Sequence, residues 1–181
     1  MAKFTDYNLR SEIYTALEEI RFTTPTKVQE RLMPVVMQGR SVVGQSQTGS
    51  GKTHTFLIPI FQKYDPSVQK VQAVITTPSR ELAQQIYAAA KQLGTGFPVD
   101  QQPRIGLYVG GTDKARQLHQ LESSQPQIVI GTPGRIKDLY TAGALDIHTA
   151  DTLVVDEADM TMDLGFLPEV DAIAGAMPED L

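Results

Sequence analysis

The chain has 181 residues, 41% of them hydrophobic and 20% charged, which predicts one soluble globular domain large enough to bury a core. A formal net charge of −5 excludes a uniformly basic surface, so contact with nucleic acid would require a local patch. The absence of cysteine excludes disulfides, thiolate metal sites and a cysteine nucleophile, and it is compatible with a reducing cytoplasm. No apolar run approaches ~18 residues and the N-terminus has no signal pattern, so we expect neither membrane insertion nor secretion.

Apolar spacing predicts two amphipathic helices near the start of the chain, over residues 8–20, capped by Asn8, and over residues 27–38. Apolar, β-branched runs then alternate with helical stretches. The predicted strands cover residues 41–43, 71–77, 105–109, 128–130 and 152–155. The predicted helices cover residues 52–63, 79–93, 113–121, 133–140 and 165–177. This alternation predicts an α/β fold with a mostly parallel central sheet and helices on both faces, whose strands end at one shared, ligand-binding edge.

A glycine-rich segment follows the first of these strands. Gly49 and Gly51 can adopt positive φ, so several backbone N–H groups can converge on an anion at the start of the next helix. Lys52 can reach the β- and γ-phosphates of a nucleotide, and the Thr53 hydroxyl can ligate Mg²⁺. The alternative is a Gly/Ser turn before a helix that happens to begin with lysine. The predicted phosphate loop consists of Ser46, Gln47, Thr48, Gly49, Ser50, Gly51, Lys52 and Thr53.

An acidic segment, Asp156-Glu157-Ala158-Asp159, follows the last predicted strand. Because side chains alternate along a strand, Asp156 can face a metal beyond the strand's C-terminal end. We expect Asp156 to hold Mg²⁺ and Glu157 to orient or deprotonate an attacking water. The alternative is an ordinary polar helix start, since acidic residues favour the first helical turn. Together with the phosphate loop, the acidic segment predicts a nucleoside-triphosphatase.

Two further strand-to-helix links, at residues 77–85 and 131–135, share one design. Each combines a hydroxyl residue suited to capping, a proline, and an arginine, which is Arg80 in the first link and Arg135 in the second. Open helix N-termini bind phosphates, an adjacent arginine can clamp one, and Gly111 in a third link lets a backbone approach closely. Several phosphate sites along one edge suit a nucleic-acid strand. The alternative for each link is ordinary helix capping beside a solvated arginine.

These motifs resemble, in order, those of the first RecA-like domain of the DEAD-box RNA helicases. The resemblance covers residues 4–159 and includes the Asp-Glu-Ala-Asp sequence that gives the family its name. It implies a RecA-like P-loop domain that uses ATP and Mg²⁺. The segments that carry it are residues 46–53, 78–85, 110–111, 132–135 and 154–159, preceded by an adenine-reading motif at residues 22–29.

The resemblance implies an adenine site formed by Phe22, Thr24 and Gln29. Gln29 would pair with the hydrogen-bonding edge of adenine through its amide, a contact that guanine could not satisfy. Phe22 would pack on the face of the base. Without the resemblance, the residues favour another interpretation, in which Phe22 belongs to the core and Gln29 closes a capping box with Thr26.

The resemblance also implies roles for residues further along the chain. Lys52, Asp156 and Glu157 would be catalytic, and Asp159 would couple the state of the nucleotide to a second domain. RNA would be bound through its sugar–phosphate backbone, with little sequence preference. The residues implied to contact RNA are Pro78, Arg80, Gly111, Thr132, Gly134 and Arg135.

We expect one RecA-like domain over residues 1–181, with an adenine-reading segment at 4–29 and an ATPase core at 30–181. The family's third motif, Ser-Ala-Thr, does not occur, so a second RecA-like domain is expected to be absent from the sequence. That domain supplies arginines that stabilise the transferring phosphoryl group, an effect worth about 10³–10⁵ in rate in related systems. The isolated domain should therefore hydrolyse ATP slowly and unwind nothing unaided.

The sequence thus predicts the ATP- and RNA-binding half of an ATP-dependent RNA helicase, monomeric and cytoplasmic. One alternative is an RNA-dependent clamp or scaffold that uses ATP as a switch without processive unwinding. Another is a P-loop ATPase that acts on DNA or protein, although the paired arginine links argue against it.

Overall fold

The computed structural model describes residues 42–44, 52–111 and 113–177, without the side chains of residues 42–44, 52–55, 158 and 159. The helices predicted over residues 8–20 and 27–38 lie outside these ranges. Across the described part of the chain, no helix has both the length and the apolar character needed to cross a membrane.

The described residues form a five-stranded sheet in which every neighbouring pair of strands is parallel. The strand order is β1-β5-β2-β4-β3. All five predicted strands are present, and every strand end lies within two residues of its predicted position. The strands are β1 (Val42–Gly44), β2 (Ala73–Thr76), β3 (Ile105–Tyr108), β4 (Ile128–Gly131) and β5 (Thr152–Asp156).

Helices follow the strands, and two of the described helices begin with a side-chain cap. Ser79 Oγ accepts a hydrogen bond from the Leu82 N–H at 3.1 Å, and the Asp113 side chain accepts one from the Arg116 N–H at 3.2 Å. The described helices are α1 (Lys52–Lys63), α2 (Arg80–Gly94), α3 (Lys114–Ser123), α4 (Pro133–Thr141), α5 (Ala158–Asp163) and α6 (Leu167–Ala176). Helix α5 was not predicted, because six residues are too few to show a helical apolar repeat.

The core lies on both faces of the sheet, as the continuous apolar runs in the central strands predict. On one face, Ile75 of β2 packs in a cluster that includes residues of α1 and α2. On the other, Val74 of the same strand packs in a cluster that includes residues of α4 and α6. All four residues of β2 and of β4 are buried. The predicted arrangement of helices on both faces is confirmed.

The strand register brings the C-terminal ends of the strands together along one edge, which we call the C-terminal edge. Tyr108 of β3 pairs with Gly131 of β4, Gly131 pairs with Thr76 of β2, and Thr76 pairs with Val155 of β5. The links that leave these strands therefore begin side by side.

Candidate functional site

The end of β1 and the acidic segment lie next to each other at the C-terminal edge. Asp156 is the last residue of β5, only 4% exposed, and its register partner is Gly44, the last residue of β1. Adjacent strands are separated by about 4.8 Å, so the chain that leaves β1 after Gly44 starts beside Asp156. Helix α1 begins at Lys52. A carboxylate in this position is a suitable oxygen ligand for a hard cation such as Mg²⁺.

Several predicted nucleotide-site residues lie outside the described structure. Lys52 and Thr53 are the first two residues of α1, but their side chains are not described. The same is true of the Asp159 side chain, whose backbone belongs to α5. The residues wholly outside the described ranges are Phe22, Thr24, Gln29, Ser46, Gln47, Thr48, Gly49, Ser50 and Gly51.

Glu157 has an unusual backbone conformation. Its φ of 54° and ψ of 55° place it in the left-handed region, and it is the non-glycine residue with positive φ among those described. Its carbonyl oxygen accepts hydrogen bonds from the N–H and the hydroxyl of Thr161, at 2.9 and 3.0 Å. Such conformations cost about 1–3 kcal/mol and concentrate at functional sites. No pattern in the sequence signals this geometry, because glycine and asparagine are the usual left-handed residues.

The first arginine link brings Arg80 and Gly111 together. Pro78 is buried, whereas Arg80, the first residue of α2, is exposed. Gly111 has a φ of +82°, and Arg80 Nη1 lies 2.5 Å from the point that a Cβ on Gly111 would occupy. Gly111 is therefore required both for its backbone conformation and for the space that the Arg80 guanidinium fills.

The second arginine link differs from its predicted design. Thr132 occupies the N-cap position of α4, but its side chain makes no capping hydrogen bond, unlike Ser79 in the first link. Its N–H instead donates to the Tyr108 carbonyl at 3.0 Å and joins the link to the end of β3. Gly134 is the second residue of α4, and a Cβ built on it would meet no described atom within 4 Å. The packing of the described residues therefore leaves open space at Gly134.

Arg135 has a defined partner that the sequence did not predict. Its Nη1 donates to Gln117 Oε1 at 2.7 Å, and the Gln117 side chain is buried. Arg135 is therefore held by a side chain of another helix as well as by solvent. Gln117 belongs to α3, so the connection from β3 through α3 contacts Arg80 through Gly111 and Arg135 through Gln117.

Tyr108 completes the C-terminal edge on the side of β3. Burial raises the pKa of Tyr108 to about 12, with a smaller contribution from the negative charge that Tyr87 would carry when ionised. The Tyr108 ring and hydroxyl lie over Gly106, two residues earlier in β3, where a side chain on Gly106 would overlap them.

Comparison with known proteins agrees with this architecture. Residues 26–181 match the family model described as DEAD/DEAH box helicase. The match covers most of the chain, which therefore belongs to the DEAD/DEAH box helicase family. The predicted resemblance is confirmed.

Individual relatives support the same assignment. The chain is 49% identical over 180 residues to the DEAD-box ATP-dependent RNA helicase CshB of Listeria monocytogenes, covering 99% of this chain and 41% of that protein. It is 49% identical over 179 residues to CshB of Bacillus subtilis, covering 99% of this chain and 40% of that protein. The chain thus spans about two fifths of the length of the curated relatives it matches.

A solved structure has the same fold. The crystal structure of a DEAD box protein from the hyperthermophile Methanococcus jannaschii is 32% identical to this chain and superimposes with a TM-score of 0.88. The match covers 98% of this chain and 47% of the other. This likeness confirms the predicted RecA-like α/β fold.

Proposed function

We propose that this chain is the ATP- and RNA-binding half of a DEAD-box ATP-dependent RNA helicase, which hydrolyses ATP to remodel or unwind RNA duplexes. The observation that carries the proposal is the register at the C-terminal edge, where Gly44 lies beside Asp156 and both arginine links begin on neighbouring strands. The names of the CshB relatives, ATP-dependent RNA helicases, support ATP and RNA as the ligands.

In this proposal, the nucleotide is bound between the end of β1 and the end of β5. Asp156 and Thr53 would hold a Mg²⁺ ion, which would neutralise charge on the phosphate oxygens. Lys52 contacts the β- and γ-phosphates, and Glu157 orients or deprotonates the attacking water. The rest of the phosphate loop supplies backbone N–H groups to the triphosphate. The adenine is read by Phe22, Thr24 and Gln29.

RNA is proposed to lie across the two arginine links. Arg80 is exposed at a helix N-terminus, which is a favourable site for a phosphate. The Thr132 hydroxyl makes no capping bond and is suited to contact the RNA backbone, and the open space at Gly134 admits a close approach. The complete proposed surface consists of Pro78, Arg80, Gly111, Thr132, Gly134 and Arg135.

The whole protein is proposed to be a cytoplasmic monomer with a second RecA-like domain in the same chain. Asp159 would couple the state of the nucleotide to that domain, and closure of the two domains on ATP and RNA would bend the bound strand. Displacement of a labelled RNA duplex by a protein that carries both domains distinguishes unwinding from ATP-switched clamping, which predicts ATP-dependent RNA retention without displacement.

Lys52→Ala is expected to weaken ATP binding by about 10- to 100-fold, because it removes a charge-assisted contact with the phosphates. Titration of the 181-residue chain with a fluorescent ATP analogue measures the affinity, and circular dichroism checks the fold. Lys63→Ala is the matched control, since Lys63 is at the other end of α1 and pairs with Asp151 at 3.6 Å. Unchanged affinity in Lys52→Ala would show that the phosphate loop is wrongly assigned.

Arg80→Ala combined with Arg135→Ala is expected to weaken RNA binding by about 10- to 100-fold and leave ATP binding unchanged. Loss of two phosphate contacts should also reduce the salt dependence, by about 0.7 in log–log slope for each contact with a single strand. Anisotropy of a labelled single-stranded RNA, measured with a protein that also carries the second domain, provides both values.

The matched control for the arginine pair is Lys63→Ala combined with Lys70→Ala. Both lysines are exposed, and Lys70 precedes β2, so this change removes the same charge at the opposite edge of the sheet. Equal losses of RNA affinity in the two double variants would indicate a general charge effect and contradict the proposed RNA surface.

A further inference from the structure

We propose that Gln117 is a positioning residue, which holds the Arg135 guanidinium in the orientation that binds an RNA phosphate. This inference rests on the proposed function, because it gives Arg135 an RNA phosphate as its ligand. It adds a residue of α3 that lies outside the motifs on which the RNA surface was built.

The first support is the contact between the two side chains. Gln117 is 8% exposed, and its Oε1 accepts a hydrogen bond from Arg135 Nη1 at 2.7 Å. The two residues belong to different strand-to-helix units, since Gln117 is in α3 and Arg135 is in α4. A long arginine side chain loses rotamer freedom when it binds a phosphate, and a buried partner removes part of that freedom beforehand.

The chemistry of an amide suits this task. A carboxylate at position 117 would pair with Arg135 as an ion pair and would compete with a phosphate for the same cation. The amide oxygen of Gln117 accepts a hydrogen bond but carries no net charge. Gln117 can therefore orient the guanidinium without neutralising it.

The connection between β3 and α3 also contacts the other arginine, Arg80. Gly111, between β3 and α3, packs against the guanidinium of Arg80. The β3–α3 connection therefore contacts both proposed phosphate-binding arginines, one through a glycine and the other through Gln117. Contacts from this one connection can in this way help to orient both arginines.

The test measures RNA affinity in a double-mutant cycle with the 181-residue chain, using a labelled oligouridylate at low ionic strength, where phosphate contacts are strongest. Gln117→Leu is expected to weaken binding about three- to tenfold when Arg135 is present, because an unpositioned arginine must be ordered by the RNA. In the Arg135→Ala background, Gln117→Leu should cause no further loss. A merely structural role would lower affinity in both backgrounds.

A second variant and a control keep the result interpretable if Gln117→Leu perturbs the fold. Gln117→Glu retains an acceptor of the same size, and it should keep the melting temperature while lowering RNA affinity through competition for Arg135. Gln120→Leu, at an exposed position of the same helix, should change neither the melting temperature nor the RNA affinity. Unchanged RNA affinity in the folded Glu variant, or equal losses from Gln117→Leu in both backgrounds, would overturn the inference. If Arg135→Ala itself leaves RNA affinity unchanged, the proposed RNA surface is wrong and the inference falls with it.

Discussion

Replacement of Glu157 by glutamine is expected to lower RNA-stimulated ATP turnover by about 10²–10⁴-fold, with little change in nucleotide affinity. The neutral amide keeps the size of the side chain but cannot accept a proton from water. Glu157 directly follows Asp156, and its left-handed backbone turns the chain sharply where β5 ends. The hydrogen bonds from Thr161 go to the backbone carbonyl of Glu157, so the substitution should preserve this turn.

The measurement compares steady-state phosphate release with binding of a fluorescent ATP analogue, in a protein that also carries the second RecA-like domain. Glu122→Gln is the matched control, because Glu122 is an exposed residue of α3 whose carboxylate lies 3.8 Å from His119 Nδ1. Normal turnover in Glu157→Gln would show that another group activates the water. A parallel loss of nucleotide affinity would instead indicate that Glu157 supports binding.

The sheet was predictable because its signal is local. Buried parallel strands such as β2 and β4 read as short apolar, β-branched runs, and the helices between them have an apolar repeat. Once the alternation is recognised, the rule that strand ends share one edge places Asp156 near the glycine-rich segment. The pairing of Gly44 with Asp156 agrees with that expectation.

The contacts that orient the site's side chains were not predictable, because they depend on packing between elements. Gln117 is four residues before Leu121 and shares its buried side of α3, yet nothing in the sequence identifies Arg135 as its partner. The contact between Arg80 and Gly111 likewise joins two separate links. The left-handed conformation of Glu157 was not predictable for another reason, because glutamate is not a residue type that usually adopts it.

These two classes of feature have different consequences for mutation. The strands and helices that apolar periodicity predicts set the fold, and their buried positions tolerate conservative apolar changes. The features that it misses are single contacts between elements, such as Gln117 with Arg135, whose loss is expected to alter ligand binding more than stability. Gly131 is an exception to this rule. It makes a close contact between two strands inside the sheet, so its replacement is expected to affect stability.

The largest loss of stability is expected for Gly131→Ala, about 3 kcal/mol in the free energy of unfolding. A Cβ on Gly131 would overlap the Tyr108 carbonyl oxygen and lie 3.0 Å from the Tyr108 carbonyl carbon and 3.2 Å from Ile136 Cγ1. The Tyr108 oxygen also accepts the Thr132 N–H, and the Gly131 oxygen accepts the Thr77 N–H at 3.1 Å. Relief of the overlap must therefore move backbone at the ends of three neighbouring strands.

Gly134→Ala is the matched control, because it adds the same methyl group only three residues away. A Cβ there meets no described atom within 4 Å, and Gly134 is inside α4, where alanine is favoured by up to about 1 kcal/mol. Urea denaturation of the 181-residue chain, followed by circular dichroism, compares the two variants. Gly134→Ala should be as stable as the wild type or slightly more stable. If Gly131→Ala were equally stable, the close packing of β3 on β4 at the C-terminal edge would be wrong, and with it the position of the second arginine link.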